Sequence, residues 1–266
     1  MSASILISIL AALFYGGAGM LAWRNHPRLP WVALSALMFH AAALSLQLLG
    51  HGALHIGMSE ALSLFAWQSA ALLWAFSWRE PVATNGALIY PVAALFGLAA
   101  ALWPSPPGDV DVLNWKISLH ILISLLSAGV LTLAAVQALA LAIQERLLRR
   151  HRSGRIGRHL PPLQMLERLL FQMVGIGFGL LSLTLLTGLW FIDNWLAQHL
   201  AHKTILSIVA WLVFGVLLWG RWRHGWRGRI AIRWALSGYG ILILAYFGTK
   251  LVLELVLQKH WLMTGT

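Results

Sequence analysis

Long apolar runs alternate with short polar segments along the whole chain, near residues 5–23, 31–49, 62–78, 87–103, 117–142, 169–192, 204–222 and 234–257. Each is close to the roughly 20 residues that a helix rising about 1.5 Å per residue needs to cross a bilayer core. Eight such windows predict an all-α, polytopic membrane bundle with both termini on the same side. The first run lacks a basic start and is followed by Arg24-Asn25-His26-Pro27-Arg28. It therefore reads as a first spanning helix with its N-terminus outside rather than as a cleaved signal peptide.

The connections alternate in charge. One set carries Arg24, Arg28, Arg79, Arg146, Arg149, Arg150, Arg152, Arg155, Arg158, Arg168, Arg221, Arg223, Arg227, Arg229 and Arg233, fifteen of the nineteen Lys and Arg. The opposite set holds Lys116, Lys203 and Lys259 with Glu60, Asp109, Asp111 and Asp193, and Lys250 lies inside the last window. Basic loops stay in the cytoplasm, so both termini are expected on the outer, periplasmic side of a bacterial inner membrane. The longest polar stretch, 145–162, is expected to be a basic cytoplasmic loop joining two four-helix halves of a single domain spanning 1–266. Trp23, Trp31, Trp78, Trp103, Trp115, Trp195, Trp222 and Trp261 fall near window ends, where indole rings favour the headgroup layer.

Composition narrows the function classes. Only 10% of residues are charged, 59% are hydrophobic and the mean hydropathy is +0.76, too little charge to dress a soluble surface. The net charge of +11 accordingly points to anionic lipid contact and not to nucleic acid. The absence of cysteine excludes disulfides, thiolate metal sites and thioether attachment of heme to this chain. There is no HExxH, phosphate-binding loop or nucleophile elbow. Gly175, Gly177 and Gly179 follow no strand, so they predict close helix packing and not a dinucleotide fingerprint.

Histidines are the candidate chemistry. His40, Gln47 and His51 share one helical face, a polar stripe that must look away from lipid. Each imidazole is either a satisfied packing group or an axial donor to heme iron. His120 sits about one turn inside the outer boundary with Ser124 and Ser127 on its face, leaving room for a flat ligand or for a closely packed helix. Further histidines cluster toward the outer side: His51 and His55 in GHGALH, His199 and His202 in QHLAHK, and His260. Lys250 and Glu254, one turn apart, are expected to neutralise each other.

The second half resembles the cytochrome c assembly family of CcsA/HemX type. The resemblance is carried by LPPLQMLERLLF, GFGLLSLTLLTG, HKTILSIVAW, RWRHGWRGRIAI and SGYGILILAYFG, in that order between 160 and 248. A weaker likeness upstream lies in GHGALHIGMSEALSLFAW, which aligns His51 and Glu60 with family positions. The likeness also puts His120 where the family places an outer-face histidine able to ligate heme. The family's synthetases carry a tryptophan-rich outer loop with a Trp-Asp pair, and here that stretch reads WFIDNWLAQHLAHKT. Lys203 is kept and the Trp-Asp pair is not, so the chain is similar to the shorter, YpjD-like and HemX-like branch.

The resemblance implies non-covalent heme b, with its iron held by His120 and a second donor from His51, His40 or His202, and with Lys203 or Lys250 near the propionates. It further implies an accessory, non-enzymatic role beside other cytochrome c maturation proteins. A scaffold that keeps the fold without heme is the alternative, and a small-solute permease the more distant one, since no matched pair of broken helices is present.

Overall fold

Helix formers dominate every apolar window, and in hydrocarbon a spanning segment must satisfy its backbone internally. The computed structural model describes residues 3–49, 57–104, 114–149, 161–191 and 198–251. They form α1 (Ala3–Trp23), α2 (Leu29–Leu49), α3 (Met58–Ser77), a 3-10 turn (Ala83–Asn85), α4 (Gly86–Leu102), α5 (Trp115–Arg149), α6 (Leu163–Phe191), α7 (Gln198–His224) and α8 (Gly228–Leu251). No strand occurs among the described residues. Every predicted window corresponds to one helix.

Seven of these helices are long and apolar enough to span, and α3 is not among them. Its position explains the exception: no residue from Met58 to Trp74 is exposed. A helix shielded from lipid by its neighbours tolerates polar side chains, and α3 buries Glu60, Ser63, Gln68 and Ser69. It packs against α2, α4 and α5. The first four helices pack among themselves, α5–α8 close a second ring (α5 on α6, α6 on α7, α7 on α8, α8 on α5), and α3 on α5 joins the two.

Small residues set the helix spacing. Ala11, Tyr15, Ala18, Gly19 and Ala22 are buried on one face of α1, and a Cβ at Gly19 would come within 3.1 Å of Pro91 of α4. In α6, Gly177 alone of its glycine triplet is needed for packing, because a Cβ there would lie 2.5 Å from Leu131 of α5 while Gly175 and Gly179 face open space.

Polar contacts sort the helix ends onto two faces. Arg168 at the start of α6 pairs with Glu80 beyond α3 at 3.3 Å, and Arg229 at the start of α8 pairs with Glu145 near the end of α5 at 3.3 Å. The side chain of Trp74 donates to the Pro30 carbonyl at 2.9 Å, placing the start of α2 on the same face. This is the arginine-rich face. The GWRGR turn lies on it: Gly225 and Gly228 adopt left-handed backbone, φ 65° and 51°, which glycine enters without a Cβ penalty. The Gly228 N–H donates to Glu167 at 2.7 Å. Arg221 donates to the Trp226 carbonyl at 3.1 Å, so this arginine closes the turn.

Several helix ends run past the windows, α7 and α8 beginning six residues early. α5 continues to Arg149 and α6 begins at Leu163, whereas the apolar signal covers 117–142 and 169–192. The 35 residues of α5 extend about 52 Å, well beyond a hydrocarbon core of roughly 30 Å. The excess carries Glu145 and Arg149, which pair at 2.7 Å. Indoles of Trp31, Trp78, Trp103, Trp115 and Trp222 are exposed near helix ends, as a headgroup belt requires; Trp195 and Trp261 lie outside the described residues.

Candidate functional site

The second ring of helices encloses a cavity of about 460 Å³ at the face opposite the arginines. Its lining follows helical spacing: His120 and Ser124 from α5, Lys203, Ser207 and Trp211 from α7, and Leu185, Gly188 and Leu189 from α6, with Ala245 and Tyr246 of α8 completing it. Leu186 and Leu189 stand exposed at its rim. The volume falls within the roughly 300–1,000 Å³ usual for small-molecule and cofactor pockets.

Three of its hydroxyls are turned inward to their own helices. Ser124 donates to the Ile121 carbonyl at 2.8 Å, Ser182 to Phe178 at 2.8 Å and Thr184 to Leu180 at 2.9 Å. Trp211 donates its indole N–H to Ser182 Oγ at 2.8 Å and stacks on Phe178 at 5.3 Å. These polar wall atoms are thereby paired, and an apolar face can be accepted against them without leaving them unsatisfied. His120 and Lys203 are the basic groups that line the cavity.

His120 is held against α6. Its Nδ1 lies 3.0 Å from Thr187 Oγ1, and a Cβ at Gly188 would come within 3.2 Å of its Cε1. Ser124 lines the cavity with it, whereas Ser127 is buried and donates to the Gly177 carbonyl at 3.1 Å. The small-residue face of α5 thus serves both uses, ligand space at its outer end and close packing one turn deeper.

His40 has a different setting. Its Nδ1 is 3.2 Å from Tyr15 of α1 and its Nε2 is 2.9 Å from Ser63 of α3. The ring is 2% exposed and lies over Gly97 of α4. Both nitrogens are engaged, so in this structure the stripe on α2 faces neighbouring helices. Gln47 follows, with no partner for its Oε1 among the described residues. His51 and Glu254 lie outside the described residues, as do the side chains of His199, His202 and Lys250. His120 and Lys203 are the two candidate residues that the structure brings to one site. Thr187, Gly188, Trp211 and Tyr246 complete it. Their sequence signal is slight: a Thr-Gly pair within an apolar run, and a tryptophan eight residues after Lys203.

A basic hollow on the arginine face, lined by Arg149, Arg227, Arg229, Glu145 and Glu167, suits contact with lipid phosphates. No group of three or more potential metal ligands occurs among the described residues.

Fold and cavity define a multi-pass helical membrane protein with an amphipathic pocket, at the face opposite the arginines, whose lining among the described residues includes one imidazole. Residues 29–257 match the family model described as cytochrome C assembly protein, and the chain belongs to that family. It is 36% identical over 231 residues to the inner membrane protein YpjD of Escherichia coli K12, covering 84% of this chain and 86% of that one. A 28.8 kDa protein of Azospirillum brasilense is 31% identical over 258 residues, 92% of this chain and 85% of that protein. The cytochrome c biogenesis protein CcsA of Thermosynechococcus vestitus is 30% identical over 91 residues, 34% of this chain and 28% of its own. No solved structure matches. The chain is an integral inner-membrane protein.

Proposed function

We propose that the protein binds heme non-covalently in the α5–α8 cavity and acts as an accessory heme-handling factor in cytochrome c biogenesis. The observation that supports this reading is the convergence of His120 and Lys203 on one largely apolar cavity of about 460 Å³. A porphyrin needs flat apolar walls, an axial donor and cationic company for its propionates; Leu185, Leu189 and Trp211 offer the first, His120 the second and Lys203 the third. Bound heme supplies a redox-active iron whose four equatorial nitrogens belong to the macrocycle, so one or two side chains suffice to hold it. A second axial donor would come from His51 or His202, or from a partner protein. Lys250 is a further candidate for the propionates.

An accessory role fits the stretch WFIDNWLAQHLAHKT, which lacks the Trp-Asp pair of the synthetases. Heme, anionic lipids and other cytochrome c maturation proteins are the expected partners. The test is hemin titration of detergent-purified protein, followed by absorption. Saturable uptake with a histidine-ligated Soret band, lost in His120→Ala and weakened in Lys203→Ala, is the expected result. Wild-type protein that takes up no hemin would overturn the reading in favour of a heme-free assembly scaffold.

A further inference from the structure

We propose that Thr187 is a positioning residue that fixes the tautomer of His120, holding the proton on Nδ1 and presenting the Nε2 lone pair to the cavity. One hydroxyl proton decides the tautomer. Thr187 Oγ1 lies 2.9 Å from the Leu183 carbonyl and 3.1 Å from the Thr184 carbonyl, and 3.0 Å from His120 Nδ1. A threonine hydroxyl has one proton and two lone pairs. Carbonyl oxygens only accept, so the proton goes to them, as it does for threonines that bond back along their own helix.

Oγ1 is then an acceptor toward His120, and the nitrogen facing it must carry the hydrogen. The reverse arrangement, with Thr187 donating to Nδ1, would leave two carbonyl oxygens against hydroxyl lone pairs with no proton between them. Neutral imidazole has one N–H and one lone pair, so a proton on Nδ1 leaves Nε2 as the ligating atom. Gly188 supports the same orientation from the next position. The ring's Cε1 and Nδ1 are the atoms nearest to where its Cβ would be, at 3.2 and 3.8 Å. The Nδ1–Cε1 edge therefore rests on α6, and the opposite edge is left for the cavity that His120 lines. Nε2 has no hydrogen-bond partner among the described residues. Iron-bound histidines depend on such an outer hydrogen bond for ring orientation and donor strength.

The heme arm of this proposal rests on the reading above, but the tautomer can be measured without heme. Protein labelled with ¹⁵N-histidine, its His120 signals assigned by comparison with His120→Gln, should show a protonated Nδ1 and an unprotonated Nε2. Thr187→Val, which removes the acceptor at similar volume, should lose that preference, and Thr187→Ser should retain it. In hemin titrations of the same proteins Thr187→Val should bind roughly ten- to a hundred-fold more weakly, with a shifted iron–histidine stretching band, and Thr187→Ser should approach wild type. A wild-type His120 protonated on Nε2 overturns the proposal. So does a folded Thr187→Val with unchanged tautomer and hemin affinity. Wild-type protein that takes up no hemin but shows the Nδ1 proton, lost in Thr187→Val, refutes heme binding while the positioning role of Thr187 stands.

Discussion

Gly177 marks a close approach between α5 and α6, the two helices that hold His120 and its support, and its replacement by alanine offers a calibrated probe of the site. The added methyl would lie 2.5 Å from Leu131 Cδ2 and 2.6 Å from Cγ. Carbon atoms in contact prefer about 3.5–4.0 Å, so either Leu131 or the helix axis must yield by about 1 Å. Leu131 is fully buried, which leaves it little rotamer freedom, and overpacking of this size costs about 1–3 kcal/mol. Alanine also gains up to about 1 kcal/mol of helix propensity over glycine, so a single variant would mix two effects. Gly175→Ala and Gly179→Ala separate them, because neither added methyl meets anything within 4 Å. Thermal unfolding in mild detergent should find those two variants neutral or stabilised, with Gly177→Ala about 1–3 kcal/mol below them. A spread of α5 from α6 would also stretch the 3.0 Å contact of His120 with Thr187 and weaken hemin uptake. Equal stability of the three variants would refute the packing argument.

Gly228→Val should destabilise by about 1–2 kcal/mol or more, since φ is 51° and L-residues resist the left-handed region; Gly228→Asn should be milder, and equal unfolding temperatures for the two would count against strain as the cause. His40→Ala should cost about 2–5 kcal/mol through the lost ring and the stranding of Tyr15 and Ser63 while leaving the hemin spectrum intact; a changed Soret band in this variant would reinstate His40 as a ligand. Cysteine labelling should find Arg223→Cys protected from, and Asn114→Cys open to, a membrane-impermeant outer reagent, as the basic-loop bias requires; the reverse pattern would invert the topology.

The fold was legible because the bilayer imposes one strong rule, an apolar run of spanning length. The windows at 31–49 and 87–103 coincide within two residues with α2 and α4, whose ends fall where apolarity ends. Hydropathy marks the edge of hydrocarbon, however, and not the edge of a helix. Glu145, Arg146 and Arg149 continue α5 past the apolar run because they are good helix formers that need no lipid. α3 shows the converse case: its buried polar residues weaken the span signal, and its neighbours shield them.

The two intramembrane histidines show where sequence reasoning stopped. Periodicity established that His40 turns away from lipid, but the groups that decide its role, Tyr15 and Ser63, stand on α1 and α3. Spacing along α2 could not reveal them. His120 presented the same ambiguity between packing and ligand, and here Ser127 took the packing role through the Gly177 carbonyl while Ser124 was left to the cavity. The discriminating quantity is the account of ring nitrogens. At His40 both are within hydrogen-bond reach of buried hydroxyls. At His120 one is bound to Thr187, and the other belongs to an edge that lines a cavity shared with Lys203. An axial ligand must keep one lone pair uncommitted and should have its other nitrogen anchored, so equal histidines on the sequence become unequal candidates once their neighbours are placed.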